Sequence, residues 1–218
     1  MDYVNLIASK ATVGSLKRWT NRASIDPAEI IDEAQKYIYS RLRAPEMRTT
    51  IIGTMVLGTN AFTAPTDLVA PIIWTITTAG YFGEVELKDQ KEVERRFNYN
   101  SSGVLVNSKP LVYYQRGAFT VAAPTFQMDS PADRAYTTRL LYYARPFLLS
   151  TGTATNFLTD KYPRLFRRAM LAIAQEFLTK SETERLYWEK LAEDEIITIN
   201  ALTEMNQGEG VPATTSDG

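Results

Sequence analysis

The 218-residue chain contains no cysteine and no histidine. Without cysteine there is no disulfide, no thiolate nucleophile and no thiolate metal site, which fits a reducing compartment. The lack of histidine removes more. It takes away the side chain that titrates nearest neutral pH and the commonest metal ligand. Neither a Ser-His-Asp nor a Cys-His arrangement can then be assembled. Catalysis would have to run on carboxylates or lysine, so the expectation is a non-enzyme with no catalytic residue, no metal ligand and no cofactor. Glycine-rich phosphate loops are missing as well: neither G-x-G-x-x-G nor G-x-x-x-x-G-K-[ST] occurs. No apolar run approaches the ~20 residues that span a bilayer. The opening residues, MDYVNLIASKATVGSLKRW, lack the continuous apolar core of a signal peptide. A soluble chain made in the cytoplasm, with no membrane partner, is expected.

The net charge is −1, with 24 basic and 25 acidic residues, a balance that argues against a protein whose task is to coat DNA. Apolar residues make up 44% of the chain, enough for a packed core.

Helical patterns occupy both ends. Val4, Ile7, Ala8 and Ala11 fall at helical spacing within residues 2–19, and Leu16 and Trp19 continue the pattern after Gly14. A second helix starts at Asp26, with Pro27 in the first turn and Glu29 completing a capping box. Ile31, Ala34, Ile38 and Leu42 give it one apolar face, and Pro45 stops it near Ala44. From Met47 to Arg145 the period is that of strands. TTIIGTMVL, VAPIIWTITT, EVEL, PLVYYQR, AFTVAA and YTTRLLYYAR are rich in β-branched and aromatic residues. Turn residues separate them at Gly58-Thr59-Asn60, Ala79-Gly80, Asn100 to Gly103 and Ser130-Pro131, and one short helix is expected from Lys88 to Phe97. After Pro146 and a polar loop, helices return. Leu165, Ala169, Ile173 and Phe177 recur every four residues behind Pro163. Ser181 and Glu184 form a capping box for a last helix with Leu186, Tyr187, Leu191, Ile196 and Ile199 on its apolar side. The plan is α+β: helices 1–45, a β-rich domain 46–146, helices 147–206 and a flexible Gly/Pro/Thr-rich tail 207–218. The terminal helices are expected to form one bundle carrying the β-rich domain.

Charge is sorted along the last two helices. Lys161, Arg164, Arg167 and Arg168 crowd the start of one, and Glu189, Glu193, Asp194 and Glu195 belong to the acidic run of the other. Arg164, Arg167 and Arg168 stand three and four apart and share a helix face. Three readings compete: contact with nucleic-acid phosphates, ion pairing within the chain or between subunits, and a plain solvated face. Cations in the first turns sit against the helix dipole, which favours a partner of opposite charge. Adjacent acids on a helix splay about 100° apart, so Glu193, Asp194 and Glu195 do not make a metal site. Asp129 and Asp133 read as turn aspartates. Tyr113-Tyr114 and Tyr142-Tyr143 offer one ring to each face of their strands and read as packing residues rather than base-stacking platforms.

IDPAEIIDEAQKYIYSRLRAPEMRTTIIGTMVLGTNAFTAPTDLVAPIIW, with TAPTDLVAP at residues 63–71, resembles the first half of the head-to-tail adaptors of short-tailed bacteriophages. LLYYARPFLLSTGTATNFLTDKYPRLFRRAMLAIAQEFL is similar to the second half of the same family. The order and spacing of these motifs match over about residues 25–200. Two positions depart from the pattern: Arg164 stands where the family often has an acid, and Ala64 where it has leucine. The resemblance implies a structural virion protein of the neck, assembled in the host cytoplasm into a homo-oligomeric ring, typically of twelve copies. That ring would join the portal protein to the tail nozzle protein, help to hold tail fibres, and let genomic DNA pass through without sequence specificity. It makes Lys161, Arg164, Arg167, Arg168, Glu189, Glu193, Asp194 and Glu195 candidates for the subunit interface or the DNA-facing surface. It also makes Thr203, Glu204, Met205, Asn206 and Gln207 candidates for portal docking, as the start of a tail that orders on assembly. The alternatives are a nucleic-acid-binding module using residues 161–168 and a carboxylate-dependent hydrolase.

Overall fold

Asp26 opens the first long helix by accepting the Ala28 N–H at 2.9 Å, and Pro27 fills the first helical position, where a missing N–H costs nothing. Glu29 lies exposed in that turn, so the cap is this single bond rather than the reciprocal box. The computed structural model describes residues 1–8, 14–21, 26–116, 124–177 and 182–208. Its helices are α1 (Tyr3–Ile7), α2 (Leu16–Trp19), α3 (Pro27–Arg41), α4 (Gln90–Glu94), α5 (Phe157–Lys161), α6 (Pro163–Phe177) and α7 (Glu182–Gly208). By contact the chain divides into two compact units, Met1–Glu46 with Pro146–Gly218, and Met47–Arg145. Apart from α4 the helices belong to the first unit and all strands to the second, which makes the class α+β.

Several helix expectations are corrected. The segment 2–19 is not one helix: Asp2 caps α1 and the Ser15 hydroxyl caps α2. Leu6 and Leu16 are buried while Val4 is exposed, and Ala11 lies outside the described residues. The helix α3 ends at Arg41 rather than Ala44. The Asn200 side chain accepts the Arg43 N–H (2.7 Å), a donor that a longer helix would use, and donates to the Arg41 carbonyl (3.0 Å), which no helix could satisfy because residue 45 is proline. In α6 the buried set is Leu165, Phe166, Ala169, Met170, Leu171, Ala172 and Ala174, with Phe177 exposed. That face is broad because α6 packs against α3, α5 and α7. In α7 Ala192, Ile196 and Thr203 are buried, whereas Leu186 and Tyr187 face solvent. The capping serine expected at 181 is outside the described residues.

The second unit holds β1 (Arg48–Met55), β2 (Ala61–Thr63), β3 (Leu68–Thr78), β4 (Tyr81–Glu84), β5 (Glu86–Leu87), β6 (Val112–Arg116), β7 (Thr125–Met128) and β8 (Tyr136–Ala144). One sheet runs β1-β8-β3-β4 and is antiparallel throughout. The other runs β2-β7-β6-β5, with β5 parallel to β6. The short strands β2 and β7 were not expected, and AFTVAA (118–123) lies outside the described residues. In the two-residue turn between β3 and β4, Gly80 takes φ +77°, a conformation that glycine adopts freely.

Alternation along β8 turns Tyr136, Thr138, Leu140 and Tyr142 inward. With Trp74 and Ile76 of β3, Tyr113 of β6 and Phe126 and Met128 of β7, these apolar and aromatic side chains make one core from both sheets. Trp74 is its centre, with ring centroids of Tyr113, Phe62 and Phe126 at 4.9, 5.1 and 5.5 Å. Trp74→Ala should destabilise this unit by about 3–5 kcal/mol, read from the urea dependence of near-ultraviolet circular dichroism. Trp74→Phe keeps much of the packing and removes a buried indole N–H that has no partner among the described residues, so its cost should be clearly smaller.

Candidate functional site

The basic start of α6 is reached through Asn156. This residue caps α5 by accepting the Leu158 and Thr159 N–H groups, and the Thr159 hydroxyl accepts the Asn156 N–H in return. Its amide nitrogen donates to the Tyr39 hydroxyl (2.8 Å), the Phe147 carbonyl (3.2 Å) and the Gln35 Oε1 (3.4 Å). Gln35 Oε1 also accepts the Leu149 N–H at 2.7 Å. A buried polar knot therefore ties the returning chain to α3 and fixes where α5, and then α6, begin.

The four cations go to different places. Lys161 pairs with Glu46 at 2.5 Å. The Arg167 guanidinium stacks over the Trp19 ring, 4.7 Å from its centroid. Arg168, half-buried, donates to Glu195 at 2.6 Å and to the Leu191 carbonyl at 3.1 Å. Arg164 is exposed and makes no ion pair among the described residues. The helical spacing that puts three arginines on one face does not give one free cationic surface, because α7 and Trp19 each claim one.

On α7, Glu189 pairs with Arg185 at 2.7 Å along the same helix, and Glu195 is the acid that meets α6. Glu193 and Asp194 point to solvent. Among the described residues no three His, Cys, Asp or Glu side chains converge as metal ligands. Asp133 accepts the Tyr136 hydroxyl at 2.6 Å, a local role of the kind expected, whereas the buried Asp129 accepts the Leu111 N–H from eighteen residues away, a tie between segments rather than a turn contact.

Burial by itself would raise the pKa of Glu46, but hydrogen bonds from the Lys161 ammonium and the backbone outweigh it and hold the carboxyl below its usual value. Such a group stabilises the fold above its unfolded-state pKa and loses that contribution as pH falls through the folded value.

At the far end, the helix α7 continues to Gly208, two residues into the expected tail 207–218. Thr203 is buried, with its hydroxyl on the Ile199 carbonyl at 2.9 Å. Glu204 is exposed and Met205 is 69% exposed. Asn206 and Gln207 are helical, and residues 209–218 lie outside the described residues.

Three polar residues with evident roles were not singled out from the sequence. Asn156 carried a local signal, Asn-x-x-Thr before the α5 turn. Asn200 carried none, since its partners are about 160 positions away. Asp67, in TAPTDLVAP, accepts the Tyr142 hydroxyl at 3.1 Å, and its carbonyl accepts the Arg145 N–H at 2.6 Å. Burial and this neighbouring carboxylate raise the Tyr142 phenol to about 12, so it stays a donor.

A family model described as SU10 adaptor protein matches residues 1–215. No curated protein matches the chain.

Asn156→Ala should cost about 2 kcal/mol, through the lost cap and the buried partners left unmatched, with Asn156→Asp intermediate. Urea denaturation followed at the helical signal measures both. Glu46→Gln should flatten the acid sensitivity: between about pH 5 and pH 3 its melting temperature should fall less steeply than that of the parent.

Proposed function

The chain belongs to the SU10 adaptor family, a family of structural phage adaptors, and from that premise we propose that it works as a head-to-tail adaptor of the virion neck. In this reading copies of the chain form a ring between the portal protein and the tail nozzle protein, and genomic DNA passes through the opening. The observation that carries it is the family match over residues 1–215, which takes in the helical unit, both sheets and α7 together.

The geometry supports assembly over a nucleic-acid grip. Of the four clustered cations, Lys161 and Arg168 are engaged by acids of the same chain and Arg167 lies on Trp19. A DNA channel benefits from this, since DNA must slide rather than adhere, and each phosphate contact adds salt-sensitive affinity. The helices of Met1–Glu46 and Pro146–Gly218 act in this reading as the bundle that carries the β-rich unit. The outward residues Glu193 and Asp194 of α7 face neighbouring copies, where exposed charges set register and steer docking rather than hold the ring, each pair being worth about 0–1 kcal/mol. The last turn of α7, from Thr203 to Gln207 with Met205 outward, is the portal-docking element, and tail fibres attach to the outside of the assembled ring.

Sedimentation of the purified chain, alone and mixed with the portal ring of the same source, tests this. Multi-copy binding that is lost on truncation after Met205 is the expected outcome. A full-length chain that ignores the portal while shifting DNA at physiological salt would overturn it.

A further inference from the structure

The four edges of the two sheets are not alike. β2 and β5, which bound the second sheet, are three and two residues long, and brevity is one way a sheet edge avoids pairing with another chain. β1 bounds the first sheet and has no such protection. It runs eight residues, Arg48–Met55, in unbroken register with β8. It contains no proline and no lysine, and its charged residue, Arg48, stands at its end. Residues 49–52 are all exposed, with Ile52 at 69%. Among the described residues its strand neighbour is β8 alone. Alternate residues of an antiparallel strand turn their N–H and C=O outward, and those of β1 form a row that an extended strand would satisfy.

The opposite edge of the same sheet supplies a matching strand. β4 is paired on one side, to β3, and carries Phe82, 71% exposed, and the exposed Glu84. Each neighbouring pair in β1-β8-β3-β4 is antiparallel, so β1 and β4 run in opposite directions. When copies repeat head to tail, the β4 of one meets the β1 of the next antiparallel, the better-bonded arrangement. Outer faces match too. Thr54, Thr137, Thr77 and Phe82 form one row across the sheet, and Ile52, Arg139, Thr75 and Glu84 the next. Phe82 of one copy therefore lands on the face that bears Thr50, Ile52 and Thr54 of the other. In straight continuation it faces Thr54. A slide of two residues sets it against Ile52, and a slide of four sets it against Thr50 with Glu84 opposite Arg48.

We infer that the free edge of β1 receives β4 of the adjacent copy, so that the β1-β8-β3-β4 sheet continues from subunit to subunit. This rests on the assembly reading above and names the contact that propagates it. β4 is four residues long, so the joint spans only about 13 Å and fixes register and direction. It is a heterologous contact, the kind that closes into a ring.

The absence of native cysteine makes the test direct. Phe82→Cys is combined in turn with Thr50→Cys, Ile52→Cys and Thr54→Cys, all on exposed positions, and each full-length double variant is oxidised with the portal ring present. Within one copy β1 and β4 stand three strand spacings apart, about 14 Å, beyond the reach of a disulfide. One of the three pairs should give a ladder of chain multiples on a non-reducing gel, and the matching single variants should give none. A multi-copy complex by light scattering with no ladder from any pair overturns the edge pairing and leaves the assembly reading standing. Dimers from Ile52→Cys alone also overturn it, in favour of β1 against β1. With neither complex nor ladder, both fall.

Discussion

The burial of α6 on several sides is the constraint on which the helical unit depends. Seven of its fifteen residues are buried, and Ala169, Ala172 and Ala174 let its neighbours approach closely. A helix packed against α3, α5 and α7 keeps only a narrow outward strip, so the cations at its start lie near other elements. Arg168 accordingly reaches α7, where the Leu191 carbonyl and Glu195 receive it. Hydrogen bonding to both a carbonyl and a carboxylate positions a guanidinium more firmly than one exposed ion pair. The position where α6 begins is in turn fixed by Asn156 on Tyr39 and Gln35.

With α6 engaged inward, the surfaces left for partners are on other elements. α7 presents Leu186, Tyr187, Ile197, Leu202 and Met205 to solvent among its acids, and β1 presents a strand edge that pairs with β8 alone among the described residues. Both suit a protein whose task is to be built into a larger object. Charge then has a modest duty: it closes contacts inside the chain at Lys161 and Arg168, and it leaves a surface near neutrality overall.

Features that depend on near neighbours were legible in the sequence. Asp26-Pro27 starts a helix, Ala79-Gly80 turns a hairpin, and β-branched runs such as IIWTITT form strands, each for local reasons. The order TAPTD then YYARP also has a physical sense, because Asp67 and Tyr142 bond to one another across the sheet. What escaped was set at long range. Nothing near Asn200 says that it will hold the end of α3, and nothing near Arg167 says that Trp19 will lie beneath it. The helix 2–19 was overread because its apolar spacing is good, while the Ser15 cap that restarts it is a single hydroxyl. β2 and β7 are too short for periodicity to reveal.

The central claim is that this chain joins its partners through α7 and the β1 edge and keeps the basic start of α6 for its own fold. Hydrogen–deuterium exchange of the free and the portal-bound chain tests that directly. The account predicts new protection at the end of α7 and along β1, with residues 161–168 unchanged. Protection that appears at 161–168 and spares α7 and β1 would contradict it.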